Sequence, residues 1–286
     1  NQIDTFFDRL SFLNNKNILV ISDFMKILNI NEFRYSDKIL SYFFEKFIDL
    51  IRKDGNLIVP TGNINMVNSQ LIYDIDKTKS WKFGSFSEKV RTSNKSFRTK
   101  NPIISYAIIG KNARDLEKLK NKNCYGYKSP NEWFVENNVY VLNLGVHPKN
   151  GCSTIHHTEY LVNVPYRFVK KFQIKIKNQN KIYKKNFYFN VRYKCSSIQK
   201  NGNDKLFADF SKKEKFMKFK CLNNFCYINK NLLNPAYGFE MYENYISNLH
   251  KYKVYFSKGK KGNLYNDRII SLTKDFLKKI TKTSYY

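Results

Sequence analysis

NILVISDFMKILNINEFRYSDKILSYFFEKFIDLIRKDGNLIVP, Asn17 to Pro60, is the stretch that decides the fold. NILVIS (17–22) is a short apolar run rich in β-branched residues, the pattern of a strand buried on both faces, and it ends at Asp23. Ser36 and Asp37 then open a helix whose apolar residues Ile39, Leu40, Phe43, Phe44, Phe47, Ile48 and Ile51 recur at helical spacing until Gly55 stops it. NLIVP (56–60) is a second strand. Strand, helix, strand makes a right-handed parallel crossover, so the expected fold class is α/β, with a mixed central sheet and flanking helices.

The chain continues in the same style to Gly145. The pattern predicts a short helix at Phe86–Val90, a strand at Ile104–Ile109, a helix from Ala113 to Leu119 and a strand at Val139–Leu144. After Pro165 basic and apolar residues alternate in FQIKIKNQNKIYKKNFYFNVRYK, which predicts two half-exposed strands turning near Asn178 to Asn180. This is an appended antiparallel hairpin or meander in the C-terminal half, a basic β-rich segment at about 166–200. Helices are expected near Tyr242–Leu249 and Asp267–Ile280. With no repeat and no linker rich in Pro, Gly or Ser, residues 1–286 are expected to form a single domain.

Composition narrows the class. Hydrophobic residues make up 42% and aromatics 16%, enough for a substantial core rather than a disordered chain. No apolar run reaches the length of a membrane span, and NQIDTFFDRLSF has neither the basic start nor the apolar core of a signal peptide, so a cytoplasmic protein without a membrane partner is expected. Five cysteines, at 124, 152, 195, 221 and 226, form no CxxC pair and no disulfide framework; reduced thiols and no metal are expected. The formal charge of +28 raises nucleic acid as a partner. Lysine, however, is spread among Asn, Ile, Phe and Tyr over the whole chain, as a compositional bias would leave it. No nucleic-acid partner is therefore expected, although the Lys- and Tyr-rich strands from Phe172 to Tyr193 would suit one. The basic field favours small anions in either case.

Two stretches carry candidate chemistry. In GCSTIHHTEY, two of the four histidines lie together, and on a helix His156 and Glu159 share a face. The carboxylate can then hold one ring nitrogen while the other accepts a proton. His157 is the rival base, and adjacency does not choose between them. In FGSFSEKVRTSNKSFRTKNPIISYAIIGKNA, Phe83 to Ala113, polar residues lie between a predicted helix and strand, where loops present groups to a cleft. Neither stretch contains HExxH, GxGxxG, GKS, GKT or GxSxG, which removes zinc hydrolysis, nucleotide hydrolysis and the serine-hydrolase elbow. Asp23, at the first strand's end, stands either as an acceptor-binding residue or as a capping aspartate.

Taken in order, FGSFSEKVR, RTKNPIISYAIIG, YGYKSPNEW, LNLGV and STIHHTEYLVNVPYR resemble the aminoglycoside 3-N-acetyltransferase family, also called antibiotic N-acetyltransferases, from about Asn17 to Arg167. Arg98, Pro102, Ser105 and Gly110 match the family's loop and strand, Ser129 and Pro130 the next segment, Gly145 the strand end, and Thr154, His156 and Glu159 the T-x-x-H-x-x-E-like region. Two positions depart from the pattern: Asn101 stands where a histidine is common, and Thr99 replaces a usual serine. VPYR, Val164 to Arg167, resembles the branch associated with surface-polysaccharide amino-sugar biosynthesis.

The resemblance implies an acyl-CoA-dependent N-acyltransferase that moves an acetyl or other short acyl group from acetyl-CoA or another acyl-CoA to the amine of an amino sugar, nucleotide-linked in that branch. True aminoglycoside resistance is the alternative. It assigns His156 as general base and Glu159 as its orienter. Ser105, Thr154 and Arg98 are expected at the coenzyme; Asp23, Tyr166 and Arg167 at the acceptor. Direct attack by the amine needs no acyl-enzyme, so Cys152 is expected to be a packed thiol.

Overall fold

The computed structural model describes residues 2–28, 36–67, 69–147, 155–161, 163, 167–179, 181–192, 217–221 and 224–229. The expected helices after residue 204, Cys152, Thr154 and Tyr166 lie outside them.

Helix α1 (Gln2–Arg9) precedes strand β1 (Asn17–Ser22), which is followed by α2 (Phe24–Leu28), α3 (Ser36–Ile51) and β2 (Asn56–Pro60). β1 and β2 are parallel, as the opening stretch requires. Next come β3 (Ile72–Asp74), α4 (Gly84–Arg91), β4 (Phe97–Arg98), β5 (Tyr106–Gly110), α5 (Ala113–Lys118), α6 (Pro130–Glu136) and β6 (Tyr140–Leu144). The described chain closes with α7 (Ile155–Leu161), β7 (Arg167–Asn178), β8 (Lys181–Arg192), β9 (Met217–Cys221) and β10 (Asn224–Asn229).

Seven strands form the central sheet in the order β4-β5-β2-β1-β6-β10-β9, parallel at β2-β1-β6 and antiparallel on both sides of that centre. The fold is therefore α/β with a mixed sheet. Period-2 alternation splits each central strand between two cores. Ile18, Val20, Leu57 and Val59 pack with Phe43, Phe47, Phe24 and Phe86 from α3, α2 and α4. Leu19, Ile58 and Val141 face the opposite way, onto Leu116 of α5 and Phe134 of α6. A strand covered by helices on both faces reads as an unbroken apolar run, which is why β1 and β2 stand out in the sequence.

β3, β7 and β8 make a second, smaller sheet, with β3 parallel to β7 and β8 antiparallel to it. The predicted hairpin is thus present, with its turn between Asn178 and Lys181. Phe172, Ile174 and Phe187 anchor it on Met66, Tyr73, Ile103 and Tyr125. The segment before α6 is stitched to β8: Cys124 N–H donates to the Tyr188 carbonyl at 3.0 Å, and Tyr188 N–H to the Lys122 carbonyl at 2.9 Å. This stitching brings the far end of the hairpin, Arg167 and Asn190, to α7.

Candidate active site

The site forms on the short helix α7, whose turn places residues three apart on one face. His156 Nδ1 lies 2.5 Å from Glu159 Oε2. A carboxylate that close requires a proton between the two atoms, so Nδ1 carries the hydrogen of the neutral ring and Nε2 keeps the lone pair. The Glu159 side chain is only 4% exposed, the His156 side chain 26%. A buried carboxylate needs a counter-charge, and Arg167 at the start of β7 supplies it, Nε lying 2.6 Å from the same Oε2. Arg167 Nη2 is 3.0 Å from His156 Nδ1, and Nη1 donates to the Asn190 carbonyl on β8 at 3.1 Å. With Nδ1–H facing the carboxylate, Nη2 acts on the ring through its charge rather than through a lone pair. The Tyr125 ring meets the imidazole edge-on, centroids 5.9 Å apart.

Two opposing effects set the basicity of His156. Burial, then the positive field of Arg167, lowers its pKa, while Glu159 pulls the other way. The ring is therefore held below the ordinary histidine value and is neutral at neutral pH. Burial also drives the Tyr125 phenol well above its usual value, so it carries no charge. A neutral imidazole whose Nδ1 is held by a carboxylate is equipped to take a proton on Nε2.

His157 turns the other way. It is 2% exposed, and its Nδ1 accepts the Gly126 N–H at 3.0 Å. Burial lowers its pKa to about 4. This histidine ties α7 to the loop that carries Tyr125. Gly126 has φ +86°, and a Cβ there would stand 2.2 Å from the Tyr160 ring, so the loop can lie against α7 only as glycine.

The remaining expected site residues separate. Arg98, expected at the coenzyme, is buried and bonded within the protein: Nη1 donates to the Ile75 and Thr78 carbonyls, Nη2 to the Thr61 carbonyl, and Nε to the Thr61 and Ser105 hydroxyls. Its guanidinium pins three loop segments together. Ser105, expected beside it at the coenzyme, is 1% exposed inside the same cluster, its hydroxyl 3.2 Å from that of Thr61. Asp23 accepts from Lys26 N–H through its side chain and pairs with Lys26 Nζ at 3.2 Å, the capping role that was one of its two readings. Asn101, standing where a histidine is common, is fully buried and accepts the Ile103 N–H at 3.0 Å, so it shapes the loop before β5. Tyr125 and Gly126 were missed; the signal was a glycine between two tyrosines, which spacing alone does not assign to α7.

His156 and Glu159 of α7 thus meet Arg167 of β7 in one cluster, an imidazole held by a buried, ion-paired carboxylate. The sequence profile of the aminoglycoside 3-N-acetyltransferase family matches residues 29–228, and the chain belongs to that family. It is an acyl-CoA-dependent N-acetyltransferase. Solved structures share its fold: AAC-VIa with sisomicin bound has a TM-score of 0.71 at 14% identity over 85% of this chain and 97% of that one. AAC-IIIb in binary complex with coenzyme A gives 0.70 at 14% identity, over 89% and 97%. YokD from Bacillus subtilis gives 0.67 at 16% identity, over 83% and 97%. No curated protein sequence matches the chain. Among the described residues no helix is long and apolar enough to cross a membrane.

Proposed function

We propose that the protein transfers the acetyl group of acetyl-CoA to an amine of an aminoglycoside-type acceptor, with His156 as general base and Glu159 as its orienter. The observation that carries this reading is the 2.5 Å contact between His156 Nδ1 and a carboxylate that is itself ion-paired and buried. Family membership supports the donor and the amine acceptor, as do a neighbour that binds coenzyme A and one that binds sisomicin.

In the reaction the acceptor amine attacks the thioester carbonyl carbon, forming C–N, and the carbonyl oxygen becomes an oxyanion. Nε2 of His156 takes the proton the nitrogen must lose, Glu159 stabilises the resulting imidazolium, and collapse of the oxyanion breaks C–S. The imidazolium returns its proton to the departing thiolate. Amide and thiol are the products, and the enzyme ends as it began. No nucleophilic cysteine is required, and burial raises the Cys124 thiol far out of reach.

One observation favours a second acceptor class. At +28 the protein repels a polycationic aminoglycoside at long range and attracts an anion, which suits the nucleotide-linked amino sugar that VPYR points to. The test is release of free thiol from acetyl-CoA with kanamycin, gentamicin and UDP- or dTDP-linked amino sugars side by side. Turnover of the aminoglycosides supports the first acceptor and exclusive turnover of the nucleotide sugars the second. Thiol release with neither set would overturn both.

A further inference from the structure

We propose that Arg167 is the positioning residue of the catalytic pair: it holds the Glu159 carboxylate as an ion pair while its other end lies against Nδ1 of His156, which fixes the ring and keeps it the neutral base. The inference rests on the reading of His156 as that base. It replaces the expectation that Arg167 contacts the acceptor.

The argument starts from Glu159. A carboxylate excluded from water and set 2.5 Å from an imidazole favours the protonated ring, as an imidazolium–carboxylate pair, unless a cation competes for the same oxygen. A base already protonated at neutral pH accepts nothing from an ammonium-derived nucleophile. Arg167 changes that balance because its Nε shares the same Oε2, 2.6 Å away. Among the described residues, the groups that act on His156 are Glu159 from α7, Arg167 from β7, Arg192 from β8 and the uncharged Tyr125 phenol from the loop before α6. Two cations set against one carboxylate disfavour a third positive charge on the ring.

The geometry leaves Arg167 little to offer a substrate. Its side chain is 14% exposed, and the guanidinium is distributed over Glu159, His156 Nδ1 and the Asn190 carbonyl. Arginine suits this because its planar fork reaches a carboxylate, a ring edge and a backbone oxygen together. Lysine would keep the charge and lose the fork.

The test uses the full chain with Arg167→Gln, Arg167→Lys, Glu159→Gln and the Arg167→Gln/Glu159→Gln double variant. The readouts are the NMR titration of the His156 Cε1–H without substrates, identified by its loss in His156→Asn, and the pH profile of kcat/KM. In Arg167→Gln the titration midpoint and the acidic limb should both move to higher pH. Its kcat at neutral pH should fall on the order of ten-fold, while KM for acetyl-CoA changes less than about two-fold. Arg167→Lys should return the midpoint towards wild type without restoring all of kcat. Should Arg167→Gln fail to fold, the double variant removes the buried carboxylate together with its cation, and its midpoint should lie above that of Glu159→Gln alone. An unmoved midpoint in Arg167→Gln, or in the double variant against Glu159→Gln, overturns the proposal, as does a rise confined to KM for the acceptor. Full activity in His156→Asn would instead remove the base assignment, and the titration would still decide what Arg167 does to the ring.

Discussion

The two adjacent histidines of α7 have opposite surroundings. His156 is a part-exposed ring with a carboxylate at Nδ1, and His157 is a buried ring whose Nδ1 accepts a backbone N–H. Substituting His156 by Asn should lower kcat by about 10²-fold or more with coenzyme binding nearly intact, because the lost proton transfer belongs to the transition state. Glu159→Gln keeps the shape and loses the charge, so its loss should be smaller, and the double variant should be non-additive. Equal kcat in His156→Asn and wild type, measured by thiol release, would remove the pair from the mechanism. His157 contributes to stability instead. Its folded pKa of about 4 lies below the unfolded 6.5, so the unfolded chain takes up a proton first as pH falls between these values. Stability is then lost on acidification through that window, by up to roughly 3 kcal/mol. His157→Asn retains an acceptor for Gly126 N–H and carries no titration. Its urea midpoint should therefore fall less between pH 7 and pH 4.5 than that of wild type, and an equal fall would refute the assignment.

Elements with their own periodicity were legible, and those defined by distant pairing were not. β1, α3 and β2 stand where the apolar pattern puts them, because each is buried against a partner that its own spacing demands. The third predicted strand began at Ile104, but β5 begins at Tyr106, since the apolar run extends into the loop whose Ser105 joins the Arg98 cluster. β3, three residues long, has no periodicity to read and exists only by pairing with β7 about a hundred residues later. The site was half legible: the His156 and Glu159 spacing is local, whereas Arg167 reaches them through the docking of the hairpin, for which the sequence offers no local sign. The loop at Gly126 packs against α7 from the other direction. Gly126→Ala would force a positive φ on a side-chain residue and drive its Cβ into the Tyr160 ring. A cost of about 1–3 kcal/mol should lower Tm by several degrees. If loop placement sets the ring contact of Tyr125, kcat should fall as well. Unchanged Tm and kcat would show that the loop does not need glycine there.

At the scale of the whole molecule the governing quantity is the charge of +28, which acts on every ligand before any contact is made. Acetyl-CoA carries its negative charge on phosphates, so its encounter with this protein is accelerated by long-range attraction and weakened by salt. The screening length is about 10 Å at 0.1 M ionic strength and shortens as salt is added. Raising KCl from low to several hundred millimolar should therefore lower kcat/KM for acetyl-CoA several-fold while leaving kcat nearly constant, since the buried ion pair at Glu159 is screened far less than the surface field. The acceptor responds according to its own sign. A polycationic aminoglycoside is repelled, and salt should raise its kcat/KM; a nucleotide-linked amino sugar is attracted, and salt should lower it in parallel with the donor. Steady-state rates with each substrate varied across a salt series thus give the charge of the acceptor that the surface favours, independently of which compounds happen to turn over fastest. Identical salt dependence for cationic and anionic acceptors would mean that the field does not reach the site, and the electrostatic case for an anionic acceptor would fall with it.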